Sequence, residues 1–274
     1  MATIYLFNGT QSGTADGSYS DPYQLSNIAT AETNAASGGT IIFKDGAYSG
    51  TTLNFASGTL NYPLTYKAES VGGVTITMTT KFSFGNTSLA NNLTYLDLIF
   101  VNSASTIDDR IVFKQLSSDS SIRHFAERCT FKAFIFGSYW GTTADQANVR
   151  LTQCIYKKTG SSGFFVHAMG SSTQQNLELI GCSVYSSGTG TYVFNKYNVT
   201  LKNTIIFDPN DTVTTWQSGG STTITGPCDL VREDGTDLKS DAYNIASNPQ
   251  FVDITTDDLR LRPSSPCINA GTAS

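Results

Sequence analysis

His124, Glu127, Arg128, Arg150 and Glu178 form the densest mixture of acid, base and cation that this sequence offers. Two carboxylates held about 5–9.5 Å apart can hydrolyse a glycosidic bond. An Arg beside them could neutralise a negative charge or take a proton. Calcium-assisted proton abstraction would instead need several acids gathered on one outer face. The five residues mix signs and include only two carboxylates, so Glu127, Arg128, Arg150 and Glu178 are weak catalytic candidates. The competing reading of Arg150 and Glu178 is an exposed ion pair worth less than ~1 kcal/mol. Other acids converge no better. Asp97 is the only acid at its position in the pattern described below, and Asp108-Asp109 and Asp257-Asp258 are consecutive, which on a strand sends them to opposite faces. His167, in GFFVHAMG, reads as a surface histidine. The five cysteines match no zinc spacing, and no metal or other cofactor is expected.

Aromatic residues suggest binding rather than catalysis. The chain has 13 Tyr, 16 Phe and 2 Trp in 274 residues, while only 14% of residues are charged. A pyranose presents an apolar face ringed by hydroxyls, and an aromatic platform in a weakly polar cleft suits it. Tyr139, Trp140, Tyr197 and Trp216, each set near Gly, Ser or Asn, are the candidate glycan-binding residues. Phe134, Phe136, Phe164 and Phe194 read instead as buried positions of strands. The net charge of −5 argues against nucleic acid or an anionic membrane as partner. No run reaches the roughly 18 apolar residues of a membrane span.

What must position these side chains is a repeat. NLTYLDLIF from Asn92, NVRLTQCIY from Asn148, NLELIGCSV from Asn176 and NVTLKNTII from Asn198 share one pattern, with a degenerate copy from Arg123 to Phe131. Each unit alternates apolar and polar, steps over two residues, and alternates again. Period two means a strand with one face buried. The step suits a corner, after which a second strand points inward. Such a unit cannot bury its inner face alone, but stacked copies can. In register, Leu98, Cys154, Cys182 and Thr204 share an inward position, and Thr94, Arg150, Glu178 and Thr200 an outward one. Glu127 and Arg128 then fall at the corner beside Gln153. The cysteines read as buried thiols, with Cys228 and Cys267 the better-placed pair should a disulfide form.

These units resemble the coils of the right-handed parallel β-helix proteins of the pectate-lyase-like superfamily. The opening GTADGSYSDPYQLSNIATAETNAASGGTIIFKDGAYSG is similar to that superfamily's entry segment, YPLTYKAESVGGVTI to a first coil, and NIASNPQFVDITTDDLRLRPSSPCINAG to its closing tail. The fold class expected is therefore all-β: a single-stranded right-handed parallel β-helix with a short N-terminal capping helix and an irregular C-terminal cap. One domain, 1–274, would divide into a cap and first strand over 1–50, coils over 51–247 and a C-terminal cap over 248–274. The helix would be capped by Ser20 or Asp21, carry Pro22 in its first turn and end at Gly38-Gly39, with Leu25, Ile28 and Ala29 as its apolar stripe. It would cover one raw strand edge, and the tail after Asn248 the other.

The resemblance leaves activity open, because this fold hosts many functions. The start MATIYLFNGTQSG has no basic region or apolar stretch of a secretion signal. Tail spikes and other virion surface proteins share the fold and assemble in the host cytoplasm without such a signal. The leading expectation is thus a non-enzymatic virion surface protein that contacts cell-surface glycans and other virion proteins. Trimers are common among tail spikes, which adds a homotrimer to the assemblies implied. The alternatives are a polysaccharide lyase or glycoside hydrolase, and a bacterial surface adhesion module. An extracellular location follows instead if a signal peptide was removed ahead of Met1.

Overall fold

A computed structural model describes residues 2–9, 14–36, 38–56, 62–85, 91–103, 111–115, 121–133, 136–138, 148–158, 164–168, 175–186, 192–195, 197–210, 213–232 and 236–271. Short strands connected around a common interior stack in parallel, rung over rung, into a β-solenoid. Among the described residues the first sheet has ten strands, running from Tyr23–Gln24 at one end to Ser221–Ile224 at the other. The second sheet carries two stacks. They are joined by the long strand Val74–Phe84, whose first half pairs with Ile99–Asn102 and whose second half pairs with Ile111–Phe113.

The repeated units lie in register. Leu93, His124, Val149, Leu177, Val199 and Thr222 occupy one line of pairing, so the degenerate copy at Arg123 to Phe131 is a full rung. The leading Asn has a structural job. Asn148 Oδ1 accepts the backbone N–H of Asn176 at 2.8 Å, and Asn198 Oδ1 accepts the hydroxyl of Ser221 at 2.9 Å. Each such bond ties one rung to the next where the chain enters the sheet.

The two-residue step is a corner with a defined shape. Its first residue is left-handed in every rung from Asp97 (φ 61°) through Arg128 (51°), Gln153 (52°) and Gly181 (63°) to Asn203 (50°). Non-glycine residues adopt this conformation at a cost, and Asn and Asp tolerate it best. The ladder bonds run through the corner regardless: Asp97 N–H donates to Glu127 O, Arg128 to Thr152 O, Gln153 to Ile180 O and Gly181 to Lys202 O. The second residue points inward, and Leu98, Cys129, Cys154, Cys182, Thr204 and Cys228 are all buried there. Its chemistry follows from the bend. Cys154 Sγ donates to Ala126 O at 3.4 Å, Cys182 Sγ to Leu151 O at 3.3 Å, and Thr204 Oγ1 to Leu179 O at 2.9 Å. A small side chain with one donor satisfies a carbonyl that faces the interior, which explains why the corners after Leu98 read Cys or Thr. All five cysteines are free thiols, Cys228 and Cys267 included.

Inside, aromatic rings stack along the axis. Phe55, Phe84 and Phe113 lie 4.9 and 4.8 Å apart in succession, and Phe100 sits 5.3 Å from Phe131. One continuous apolar core runs from Ile4 to Leu238.

Both ends differ from expectation. The N-terminal helix spans Ile28–Ala35 after a 3-10 turn at Leu25–Asn27, later than Pro22 suggested, and no side chain caps it. Pro22 instead precedes the edge strand Tyr23–Gln24. The helix buries Ile28, Ala31, Glu32 and Ala35, whereas Ala29 is exposed. A carboxylate in that stripe contradicts a purely apolar cap. Glu32 Oε1 accepts the Ala56 N–H at 2.7 Å and the Tyr66 hydroxyl at 2.8 Å, closing polar groups that the end of the solenoid exposes. At the second end, segment 236–246 covers the last strand of the second sheet, through Leu238 N–H to Leu230 O and Cys228 N–H to Tyr243 O, and the tail after Asn248 meets the same strand through Cys267 Sγ and Asp229 Oδ2. The tail folds back as an antiparallel pair, Phe251–Asp253 with Asp258–Leu261, and lies along the outer flank of the second sheet.

Candidate functional site

The outer face of the first sheet carries the residues nominated for chemistry. One outward line reads Thr3, Thr40, Thr65, Thr94, Phe125, Arg150, Glu178, Thr200 and Thr223. The neighbouring line, two residues along each strand, includes Leu96, Glu127, Thr152 and Ile180. Arg150 and Glu178 are rung neighbours as the spacing implied, with Nε 2.5 Å from Oε2. The Arg150 guanidinium also lies 5.7 Å from the centre of the Phe125 ring. At the corner, Arg128 grips Asp97 with two nitrogens, at 2.6 and 3.1 Å, and its third bonds Glu127. Asp97 is only 3% exposed beneath that guanidinium. The bond to Asp97 raises the Arg128 pKa above its usual value.

The predicted cluster is therefore split into two ion-paired groups. Asp97–Arg128–Glu127 holds the corner, and Arg150–Glu178 lies over the sheet beside Phe125. Every carboxylate in them is bonded to a guanidinium from an adjacent residue or rung. His124 does not belong with them. Its place in the alternation turns the ring inward, where it is fully buried, stacks parallel to Tyr95 and donates through Nε2 to Lys114 O at 2.8 Å. Burial pulls its pKa down to about 4, so it stays neutral in ordinary buffers. No group of three or more potential metal ligands occurs among the described residues.

The aromatic candidates need correction. Tyr197 is 1% exposed, because it opens a strand in register with buried Gln175 and turns its ring into the core. It cannot face a ligand there. Trp216 is half-buried, packed edge-on at 5.2 Å against Phe194, with its indole N–H donating to Thr222 Oγ1 at 2.8 Å. It plugs the end of the core together with Gln217, whose amide donates to Tyr197 O at 2.6 Å. Tyr139 and Trp140 lie outside the described residues. The outward aromatic that sequence reading missed is Phe125. The degenerate unit hid it, since only correct register with Thr94 and Arg150 turns it out of the core.

Several buried titratable groups also escaped notice. Lys158 is fully buried, and burial lowers its pKa to about 8 although Asp208 opposes the shift. Asp229 is 1% exposed, accepts the Ser247 N–H and the Cys267 thiol, and has its pKa raised by burial. These residues sit where the alternation or the tail covers them, and an isolated polar letter gives no sign of that. Two clefts, of about 280 and 540 Å³, border the tail, the first beside Asp229 and Cys267 and the second beside Phe207 and Phe251. Neither includes a predicted catalytic residue.

No protein-family model matches the chain, and no curated protein does. Among solved structures, it is similar to the PL6 family alginate lyase AlyGC, with 10% identity and a TM-score of 0.38 over 90% of this chain and 46% of that one. A point mutant of the same lyase gives 12% identity and a TM-score of 0.40 over 85% of this chain and 37% of that one. The chain thus spans less than half the length of the structures it matches. The likeness is a distant one between β-solenoids.

Proposed function

We propose that this chain is a non-enzymatic virion surface protein that contacts cell-surface glycans through the outer face of its first sheet. The observation that supports this most is the outward run Phe125, Arg150, Glu178 on successive rungs. An aromatic ring beside a pre-paired ion pair offers a sugar both an apolar platform and fixed hydrogen-bonding groups. The charges cost little to order on binding, since each already has a partner. A flat wall of Thr hydroxyls on either side continues the surface in the direction of a linear polymer.

The acid groups favour binding over turnover. A hydrolase needs one carboxyl group as acid and another as base or nucleophile, whereas Glu127 and Glu178 are both engaged by arginines. Binding to a glycan array should be at least ten-fold weaker for Phe125→Ala than for the parent chain. A lyase or hydrolase would instead release unsaturated or reducing ends from one of those glycans and lose that turnover in Glu178→Gln. Detection of the chain in purified particles tests the virion assignment. Its presence only on a bacterial surface would favour an adhesion module, and sedimentation would read out a homotrimer.

A further inference from the structure

The last rung of the solenoid is covered on one wall and open on the other two. Its strands are Thr215–Ser218, Ser221–Ile224 and Asp229–Arg232. Segment 236–246 covers Asp229–Arg232. Thr215–Ser218 and Ser221–Ile224 each end their stack, and among the described residues no strand pairs with their outer edges. Thr225 N–H donates to Leu201 O, which fixes the alternation of the ladder. Thr223 therefore turns its N–H and C=O towards the preceding rung, while Thr222 and Ile224 present theirs to the open edge. Such edges are normally guarded by a lysine, a proline, a bulge or a very short strand. The far end of the same sheet is guarded in that way, by the two-residue strand Tyr23–Gln24 directly after Pro22. Ser-Thr-Thr-Ile has no such guard. Trp216 and Ile224 are only partly buried at this end of the core, and Tyr243 of the covering segment is exposed.

We infer that this open edge is an interface between two copies of the chain, formed by antiparallel pairing of Ser221–Ile224 with itself about a two-fold axis at Thr223. In that register Thr222 lies opposite the second copy's Ile224, and each such pair exchanges both backbone bonds, about four in all. Thr223 meets its own copy across the axis at the closer, non-bonded spacing, where threonine pairs are favourable. The strand carries no charge, so the two edges meet without repulsion. Sidedness is kept as well. Thr223 is exposed and meets an exposed residue, while Thr222 and Ile224, both partly buried, meet on the inner side, where the two cores join. The same axis carries the wall of Asp229–Arg232 onto that of Thr215–Ser218. Segment 236–246 of each copy then lies over the other's remaining open edge, so the interface is self-complementary. A further coil of this chain does not fill the edge, since after Asp229–Arg232 it runs into segment 236–246 and then back along the flank. A foreign strand would pair with Ser221–Ile224 alone; a second copy also covers Thr215–Ser218. The interface lies at the end of the solenoid and does not depend on the surface around Phe125.

Sedimentation equilibrium of the full chain tests the inference. The parent should pass from monomer to dimer between about 1 and 100 µM, as an interface of limited area would. Thr223→Lys and Thr223→Glu each set like charges opposite one another and should weaken the dimer by roughly ten-fold or more. Mixing the two variants should restore it, because lysine then faces glutamate, and a folding defect would show no such rescue. Thr94→Lys, on the same outward line in the middle of the sheet, should leave dimerisation unchanged. In the parent, hydrogen exchange of the Thr222 and Ile224 amides should slow as concentration rises through the transition, whereas that of Thr223, whose N–H faces the preceding rung, should not. The inference is overturned if the parent stays monomeric over that range or forms a trimer, or if either charged variant of Thr223 dimerises as tightly as the parent. It is equally overturned if the mixture stays monomeric, if Thr94→Lys weakens the dimer as much, or if the two edge amides exchange alike in monomer and dimer.

Discussion

The helix at one end and the tail on the flank each bring one carboxylate against the solenoid, Glu32 and Asp257, yet the two respond oppositely to their surroundings. Glu32 enters the interior. Burial raises its pKa, outweighing the bonds from Ala56 and Tyr66 that favour the charged form. Asp257 stays at the surface, with its side chain 23% exposed. Burial alone would raise its pKa, but the bonds from Lys132, Lys157 and Tyr185 together outweigh that and hold it at about 2. The same chemical group thus serves as a plug in one place and a clamp in the other. What decides is whether cations or only neutral donors surround it.

The contrast can be broken most forcefully at Glu32. Glu32→Ala strands a buried backbone N–H and a buried phenol, and denaturant unfolding should show a loss of about 2–4 kcal/mol. Glu32→Gln keeps an acceptor and should lose markedly less. A similar loss from both would mean that the carboxylate's charge, rather than its bonds, holds the helix.

His124 provides an interior reference of known sign. Its pKa falls from 6.5 to about 4 on folding, so between those values the unfolded chain binds the extra proton. Stability is complete above pH 6.5 and declines as pH drops towards 4, by up to roughly 3 kcal/mol for this group. Melting curves of His124→Phe should lack that decline. Glu32 acts in the reverse sense: its raised pKa means that stability decreases as pH climbs from 4.5, and Glu32→Gln should remove that slope.

Asp257 is expected to have a smaller and local effect. Its contribution is present above pH 3.8 and disappears as pH falls towards 2, about 1–2 kcal/mol after allowance for solvent. Asp257→Asn should speed amide exchange in the tail hairpin and leave the strands of the first sheet protected. Loss of protection throughout would show that the tail is part of the cooperative core. The smallest effect belongs to the outer wall, where Arg150→Ala should cost less than ~1 kcal/mol because both partners are partly exposed. A larger loss would mark that pair as structural and weaken its role in ligand contact.

Register was legible because four units kept the same apolar positions through every change of letter. The adjacency of Arg150 and Glu178, the inward Cys154 and Cys182, and the corner placement of Glu127 and Arg128 all followed from it. Where one unit lost the pattern, the reading slipped. His124 looked like part of an outer cluster although its rung position turns it inward, and Phe125 passed unnoticed although the same shift turns it out. Tyr197 was misplaced for a related reason, since the strand begins one residue before the Asn that marks the unit.

Periodic alternation of apolar and polar residues, by itself, determined that strands must stack and which residues share a line, because a half-buried strand has no other way to cover its inner face. It also determined that the second corner residue, Leu98, Cys154, Cys182 or Thr204, would be buried. Only the tertiary structure decided where the non-repeating segments went. Glu32 became a plug, segment 236–246 a cover on the last strand of the second sheet and Asp257 a clamp on two lysines a hundred or more positions earlier in the chain. Such contacts depend on shape and charge meeting across distant parts of the chain, and no local period encodes them.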